Sequence, residues 1–215
     1  MYLPSALLFF CFLWSTLVSA WEPPTVYLIR HGEKPDDPKD PRLTKDGLKR
    51  AQCLRTVFGA ESGYNISYII APKVKKRKSQ IIPNTSGVYT VAGECLQYYC
   101  RISRNHLRAY ETVHPLAEDL GLEIDTHCSR KKAKCVAKTI RKYDGPGNIL
   151  VSWRHGTFTD IEKYLGVKDV LEYPDDRFDL IWTLPWPYDT VTDIKSEDCP
   201  DLDASVSPGL VAQHY

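Results

Sequence analysis

Hydrophobic residues occur along this chain in two kinds of run that alternate. The first kind is short and unbroken: Val26-Tyr27-Leu28-Ile29 after Pro23-Pro24, Ser67 to Ala71 (SYIIA) closed by Pro72, and Asn148 to Trp153 (NILVSW). Unbroken apolar runs of this length suit strands covered on both faces of a parallel sheet, where the in-out alternation of a half-wet strand disappears. Leu122 to Asp125 (LEID) reads as a further short strand. Phe178 to Thr183 (FDLIWT) reads as the last one, near an edge because Pro185 and Pro187 follow it. The second kind of run repeats at a helical period. Gly47, Ala51, Leu54 and Phe58 share a face behind Thr44, a good N-cap, with Asp46 in the first turn where the helix dipole favours an anion. Ala109, Val113, Leu116, Ala117 and Leu120 form a second stripe ending at Gly121, a residue suited to a C-terminal cap; Pro115 inside it predicts a kink. Ala133, Val136, Ala137, Ile140 and Tyr143 line a third helix, and Phe158, Ile161 and Leu165 a fourth.

Strand and helix runs in this order predict an α/β fold with a mostly parallel sheet flanked by helices on both faces, in a single domain over 21–200. Residues 1–20 carry no charge and hold a continuous apolar stretch from Leu7 to Trp14, with Val18 and Ala20 at small-residue positions of a cleavage site, so they read as a secretory signal peptide. The stretch is too short to serve comfortably as a membrane span, and no stable membrane insertion is expected. Residues 201–215 read as a disordered tail. Between them, 73–103 shows no clear period and opens on the basic run Lys73, Lys75, Lys76, Arg77, Lys78. It reads as a solvated surface insertion, with an electropositive substrate-steering rim or a translated intron as alternatives.

Charge adds an exclusion. With 28 Lys and Arg against 27 Asp and Glu, the chain has no global attraction for nucleic acid. The cysteines add a compartment. Of 7, Cys11 leaves with the signal, and the even remainder (Cys53, Cys95, Cys100, Cys128, Cys135, Cys199) favours disulfides in an oxidising, extracellular setting. Cys128 with Cys135 and Cys95 with Cys100 are plausible short loops, leaving Cys53 for Cys199. No Cys-x-x-Cys or His-x-x-x-His spacing suggests a metal. Asn65-Ile66-Ser67 and Asn84-Thr85-Ser86 are glycosylation sequons, consistent with a secreted glycoprotein.

The first strand runs directly into Arg30-His31-Gly32-Glu33, and Asn148 to Trp153 runs into Arg154-His155-Gly156. Ligands of open α/β sheets bind beyond the carboxyl ends of the strands, so both histidines are expected at one crevice. A guanidinium offers a planar fork to phosphate oxygens, an imidazole is a nucleophile or base near neutral pH, and a glycine permits close approach. Arg108, at a helix start, can point to the same edge.

These pieces, with Leu43-Thr44, Gly47, Arg50-Ala51, Ala109 and Thr112, resemble the histidine phosphatase superfamily, also called phosphoglycerate-mutase-like, over most of the chain after residue 20. The resemblance implies His31 as a nucleophile that carries the phosphoryl group, with His155, Arg30 and Arg108 binding its oxygens, and no metal or organic cofactor. It implies a secreted phosphatase acting on small phosphomonoesters through a phosphohistidine. The alternatives are a non-catalytic phosphate-binding protein and a phosphoglycerate mutase. The proton donor to the leaving group is less well marked: the carboxylate that many members carry directly after the second histidine is replaced by Gly156. Glu33 is the expected general acid, ahead of Glu111.

Overall fold

A computed structural model describes residues 22–37, 40–76, 104–105 and 107–203 of the chain. Strand β1 (Val26–Arg30) lies at the middle of a six-stranded sheet. It pairs in parallel with β6 (Asn148–Trp153) and antiparallel with β7 (Leu180–Leu184). Beyond β6 come β2 (Ile66–Ile70) and the short β5 (Ile124–Asp125), both parallel; beyond β7 comes β8 (Asp193–Ser196), antiparallel.

Helices α1 (Lys45–Val57) and α2 (Arg108–Leu120) cover one face, and α3 (Ala133–Lys142) and α4 (Phe158–Leu165) the other. Val26 and Leu28 pack with α3 and α4, whereas Ile29 packs with α1 and α2. Residues pointing to opposite faces of β1 therefore meet equally apolar surroundings, which is why its sequence shows no alternation. Each such fully buried Leu or Ile side chain contributes about 1.5–3 kcal/mol. Burial of this kind also explains α2. Pro115 lies inside it, and a mid-helix proline costs about 3 kcal/mol, yet the helix runs through without a break. The buried Val113, Leu116 and Ala117 hold its course against the sheet, and Gly121 caps it in the left-handed region (φ 64°).

Three sequence expectations need correction. The FDLIWT strand begins later, at Leu180, and lies inside the sheet; the last and edge strand is β8, whose single apolar residue, Ile194, leaves no pattern to read. Residues 201–203 belong to the fold and not to a tail, since Asp203 is ion-paired to the buried Arg50; 204–215 lie outside the described residues. The two ends of the expected insertion pair with each other, β3 (Lys75–Lys76) against β4 (Arg104–Asn105), so the chain re-enters the domain beside its point of exit and α2 starts in place. Residues 77–103, with Asn84, Cys95 and Cys100, lie outside the described residues, as does the stretch 1–20 expected to be a signal peptide.

Disulfides join Cys53 to Cys199, tying α1 to the C-terminal segment, and Cys128 to Cys135, closing the loop before α3. Asn65, the first residue of one sequon, is exposed. No helix among the described residues is long and apolar enough to cross a membrane.

Candidate active site

The parallel register sets Arg30 beside Trp153, so the segments leaving β1 and β6 emerge next to each other at the carboxyl end of the sheet. His31 follows one strand; Arg154 and His155 follow the other. The His31 segment is fixed by its backbone from three sides. His31 N–H donates to Trp153 O (2.9 Å), Gly32 N–H to Thr112 Oγ1 on α2 (2.9 Å), and Thr44 N–H at the start of α1 to Glu33 O (2.9 Å). Gly32 and Gly47 make this possible: a Cβ on Gly47 would lie 2.5 Å from Glu33 O, and one on Gly32 would lie 3.0 Å from the Gly47 backbone. The expected Thr44 cap is present, its hydroxyl accepting from Gly47 N–H (3.1 Å).

This framework holds the imidazole in one tautomer. His31 Nδ1 is 2.8 Å from the Gly32 carbonyl, which can only accept, so Nδ1 carries the hydrogen and Nε2 keeps its lone pair. Burial pushes the His31 pKa down to about 4, and the charges of Arg30, Arg108 and His155 push the same way, outweighing the Gly32 hydrogen bond that favours the proton. The ring is a neutral base at physiological pH.

Arg30 is 2 % exposed. Its Nη1 donates to the carbonyls of Pro174 (3.3 Å), Asp175 (2.7 Å) and Arg177 (2.5 Å), and its plane lies 3.8 Å from the centre of the Phe178 ring. Its Nε is buried without a partner among the described residues. His155 Nε2 donates to Asp175 Oδ1 (2.7 Å), while Nδ1 of the same ring is likewise buried and unpartnered. Burial and the neighbouring Arg30 lower the His155 pKa, against the pull of Asp175. Arg108 is held by the carbonyls of Arg42 (3.2 Å) and Asp40. Among the described residues neither Arg30 nor Arg108 has an ion pair with a carboxylate. The arrangement is a rigid cation cradle with buried nitrogens lacking acceptors, around an imidazole with a free lone pair. Such a site can take an anion and offer it a nucleophile.

Four of the five residues expected from sequence (Arg30, His31, Arg108, His155) thus act on one another. Glu33 does not join them. Its two carboxylate oxygens both accept from Arg50, at 2.6 to 3.2 Å, which commits it to bracing α1 and not to giving up a proton. Sequence reasoning missed Asp175 and Phe178, which come from the acidic, proline-rich segment before β7. Asp175 is the carboxylate that touches His155. A Pro-Asp-Asp triplet after a tyrosine marks a turn, and only the tertiary fold turns it toward β1. Arg130 and Arg154 also border the cluster. Burial lowers the Arg130 pKa, and Arg154 and Arg108 add to the shift.

Among the described residues, two groups bring metal donors within 4.8 Å of one another: His127 with Cys128 and Cys135, and Glu197 with Cys199 and Asp203. In both the cysteines are held in disulfides, and in the second both carboxylates are bound to Arg50.

Comparison with known proteins places the fold. No family model and no curated protein matches the sequence. Among solved structures, the chain is similar to the putative phosphohistidine phosphatase SixA from Agrobacterium tumefaciens, with a TM-score of 0.50 and 14% identity, over 81% of this chain and 98% of that one. The domain has a phosphatase-like α/β fold.

Proposed function

We propose that the protein is a secreted phosphatase of the histidine phosphatase type, acting on small phosphomonoesters. The reading is carried by one observation: His31 Nε2 keeps its lone pair, because Nδ1–H is spent on Gly32, beside Arg30 and Arg108, neither of which has a carboxylate ion pair among the described residues. Phosphoryl transfer asks for an in-line nucleophile, fixed position and charge compensation on the equatorial oxygens, and little else. Nε2 attacks phosphorus and the ester P–O bond breaks, leaving a phosphohistidine; Arg30, Arg108 and His155 hold the three equatorial oxygens. The leaving oxygen takes a proton from solvent water, since Glu33 is committed to Arg50 and Asp175 accepts from His155. Water then attacks the phosphohistidine, giving inorganic phosphate and returning His31. The fold similarity, the resemblance of the Arg30-His31-Gly32 and His155-Gly156 segments to the superfamily, and the signal-like residues 1–20 support the reading.

Hydrolysis of an aryl phosphate by the wild-type protein and by His31→Ala tests it. Loss of the nucleophile should reduce kcat by at least about 10³-fold, the scale on which nucleophile deletions act. Equal rates would overturn the enzyme reading, and phosphate binding without turnover in the wild type would favour the non-catalytic alternative.

A further inference from the structure

The cradle holds more positive charge than one phosphate needs. A phosphate monoester is a dianion, and Arg30 with Arg108 already matches it, since His31 is neutral and His155 is paired with Asp175. Arg130 and Arg154 remain. Among the described residues neither has a carboxylate within ion-pair distance. Yet the fold brings their backbones to one rim, close enough for the Arg154 charge to act on Arg130. Trp153, the last residue of β6, donates from Nε1 to the Arg130 carbonyl (3.0 Å), pinning the 128–135 loop beside the point where Arg154 leaves the strand. The Cys128–Cys135 disulfide closes that loop around Arg130. Arg130 Nε is buried and has no acceptor. The Arg154 guanidinium lies against Gly156, where a Cβ would come within 3.1 Å of Nη2, so it is folded over the backbone next to His155. Asp175, the carboxylate beside His155, is taken up by that ring. The exposed Lys131 and Lys132 add to the charge of the loop.

Guanidinium groups gathered without counter-ions repel one another, and a fold tolerates this where a ligand supplies the missing charge. We propose that Arg130 and Arg154 form a second anion subsite beside the phosphate cradle, and that the substrate is an organic bisphosphate: one phosphate meets His31 and the other is held by these two arginines. The proposal rests on the anion-cradle reading above. Two planar forks suit a tetrahedral dianion, which each can bind through paired N–H donors.

Calorimetric binding of methylphosphonate and of short α,ω-alkane bisphosphonates of increasing length, to the whole oxidised protein at fixed ionic strength, tests the subsite without needing turnover. The best-fitting bisphosphonate should bind at least about tenfold more tightly than methylphosphonate, as expected for added charge-assisted hydrogen bonds. Arg130→Gln and Arg154→Gln should each remove most of that advantage, and Arg130→Lys should restore part of it while a merely structural defect would not be rescued. If methylphosphonate binds but no bisphosphonate binds better, or if the advantage survives both Gln variants, the subsite is refuted and the cradle stands. If methylphosphonate itself does not bind, the cradle reading falls, and the subsite with it.

Discussion

Two groups of arginines lie on either side of the His31 segment, and they are built on opposite plans. Arg50, on α1 and 1 % exposed, meets Glu33 (2.6 Å), Glu197 (2.6 Å) and Asp203 (2.8 Å), so one guanidinium meets three carboxylates, one from the segment after β1 and two from the C-terminal segment. Arg30, Arg108, Arg130 and Arg154 meet carbonyl oxygens, an aromatic ring or no hydrogen-bond acceptor, and among the described residues none is ion-paired. The Arg50 centre staples α1 to the C-terminal segment, alongside the Cys53–Cys199 disulfide, with one buried oxygen of Glu197, Oε1, left without a partner among the described residues. The second centre has no such carboxylate partners among the described residues, and on the function proposed above an anion takes their place. Glu33 shows the division within a short segment: two residues from His31, its side chain serves the structural centre while its backbone carbonyl helps to hold the His31 segment. Burial of a charge is therefore not what marks the site. What marks it is charge without compensation.

The sharpest way to break this contrast is to remove the structural cation. Arg50→Met leaves three carboxylates facing one another, Glu197 among them fully buried, and should lower the unfolding free energy by about 3–5 kcal/mol. Urea denaturation followed by circular dichroism measures this. A loss below about 1 kcal/mol, the scale of a surface pair, would mean that the centre is not a staple. The incomplete centre should respond to anions instead. Inorganic phosphate at a hundred times its Kd should stabilise the wild type by about 2.7 kcal/mol. If Arg108→Ala weakens binding about tenfold, the same phosphate concentration should stabilise that variant by only about 1.4 kcal/mol. Arg50→Met, though weaker overall, should keep the full phosphate increment. An increment unaffected by Arg108→Ala would remove that residue from the cradle.

The parts of this molecule legible in its sequence are those fixed by local rules. Unbroken apolar strands, the Thr44 cap and the Gly121 terminus each depend on near neighbours, and all appear where the pattern puts them. So do Arg30, His31, Arg108 and His155, because strand ends and helix starts carry side chains to one edge of a sheet. What escaped depends on partners distant along the chain. Glu33 is close to His31 in sequence, but Arg50 takes both its oxygens. Asp175 sits in a turn that gains meaning only when Arg30 binds its carbonyl and His155 its carboxylate. Arg130 is followed by Lys131-Lys132 and reads as solvated surface until Trp153 pins its backbone to β6. Strand β8 has one apolar residue and is recruited by the hydrogen-bonding edge of β7. Pro115 does not end α2, which runs on through it with Val113, Leu116 and Ala117 buried around it.

The smallest expected effect separates the two centres most finely. Burial, with the cradle cations, holds the His31 pKa near 4, below the ordinary histidine value of about 6.5. Between those two pH values the unfolded chain binds a proton that the folded one does not, so this group makes stability rise with pH across that window and fall as acid is added. For kcat/KM, which reports the free enzyme, the acid limb due to His31 should lie near pH 4, once the ionisation of the substrate is taken into account. Going from pH 7 to pH 5 should then cost less than about twofold in rate, where an unshifted imidazole would lose about thirtyfold. Arg108→Gln removes one of the charges that disfavour the imidazolium and should move the limb upward. Arg50→Met should leave it in place, since Arg50 is neutralised by its own carboxylates. A limb near 6.5 in the wild type, or one that follows Arg50 and not Arg108, would mean that the positive field at His31 is not the one the two arginine centres imply.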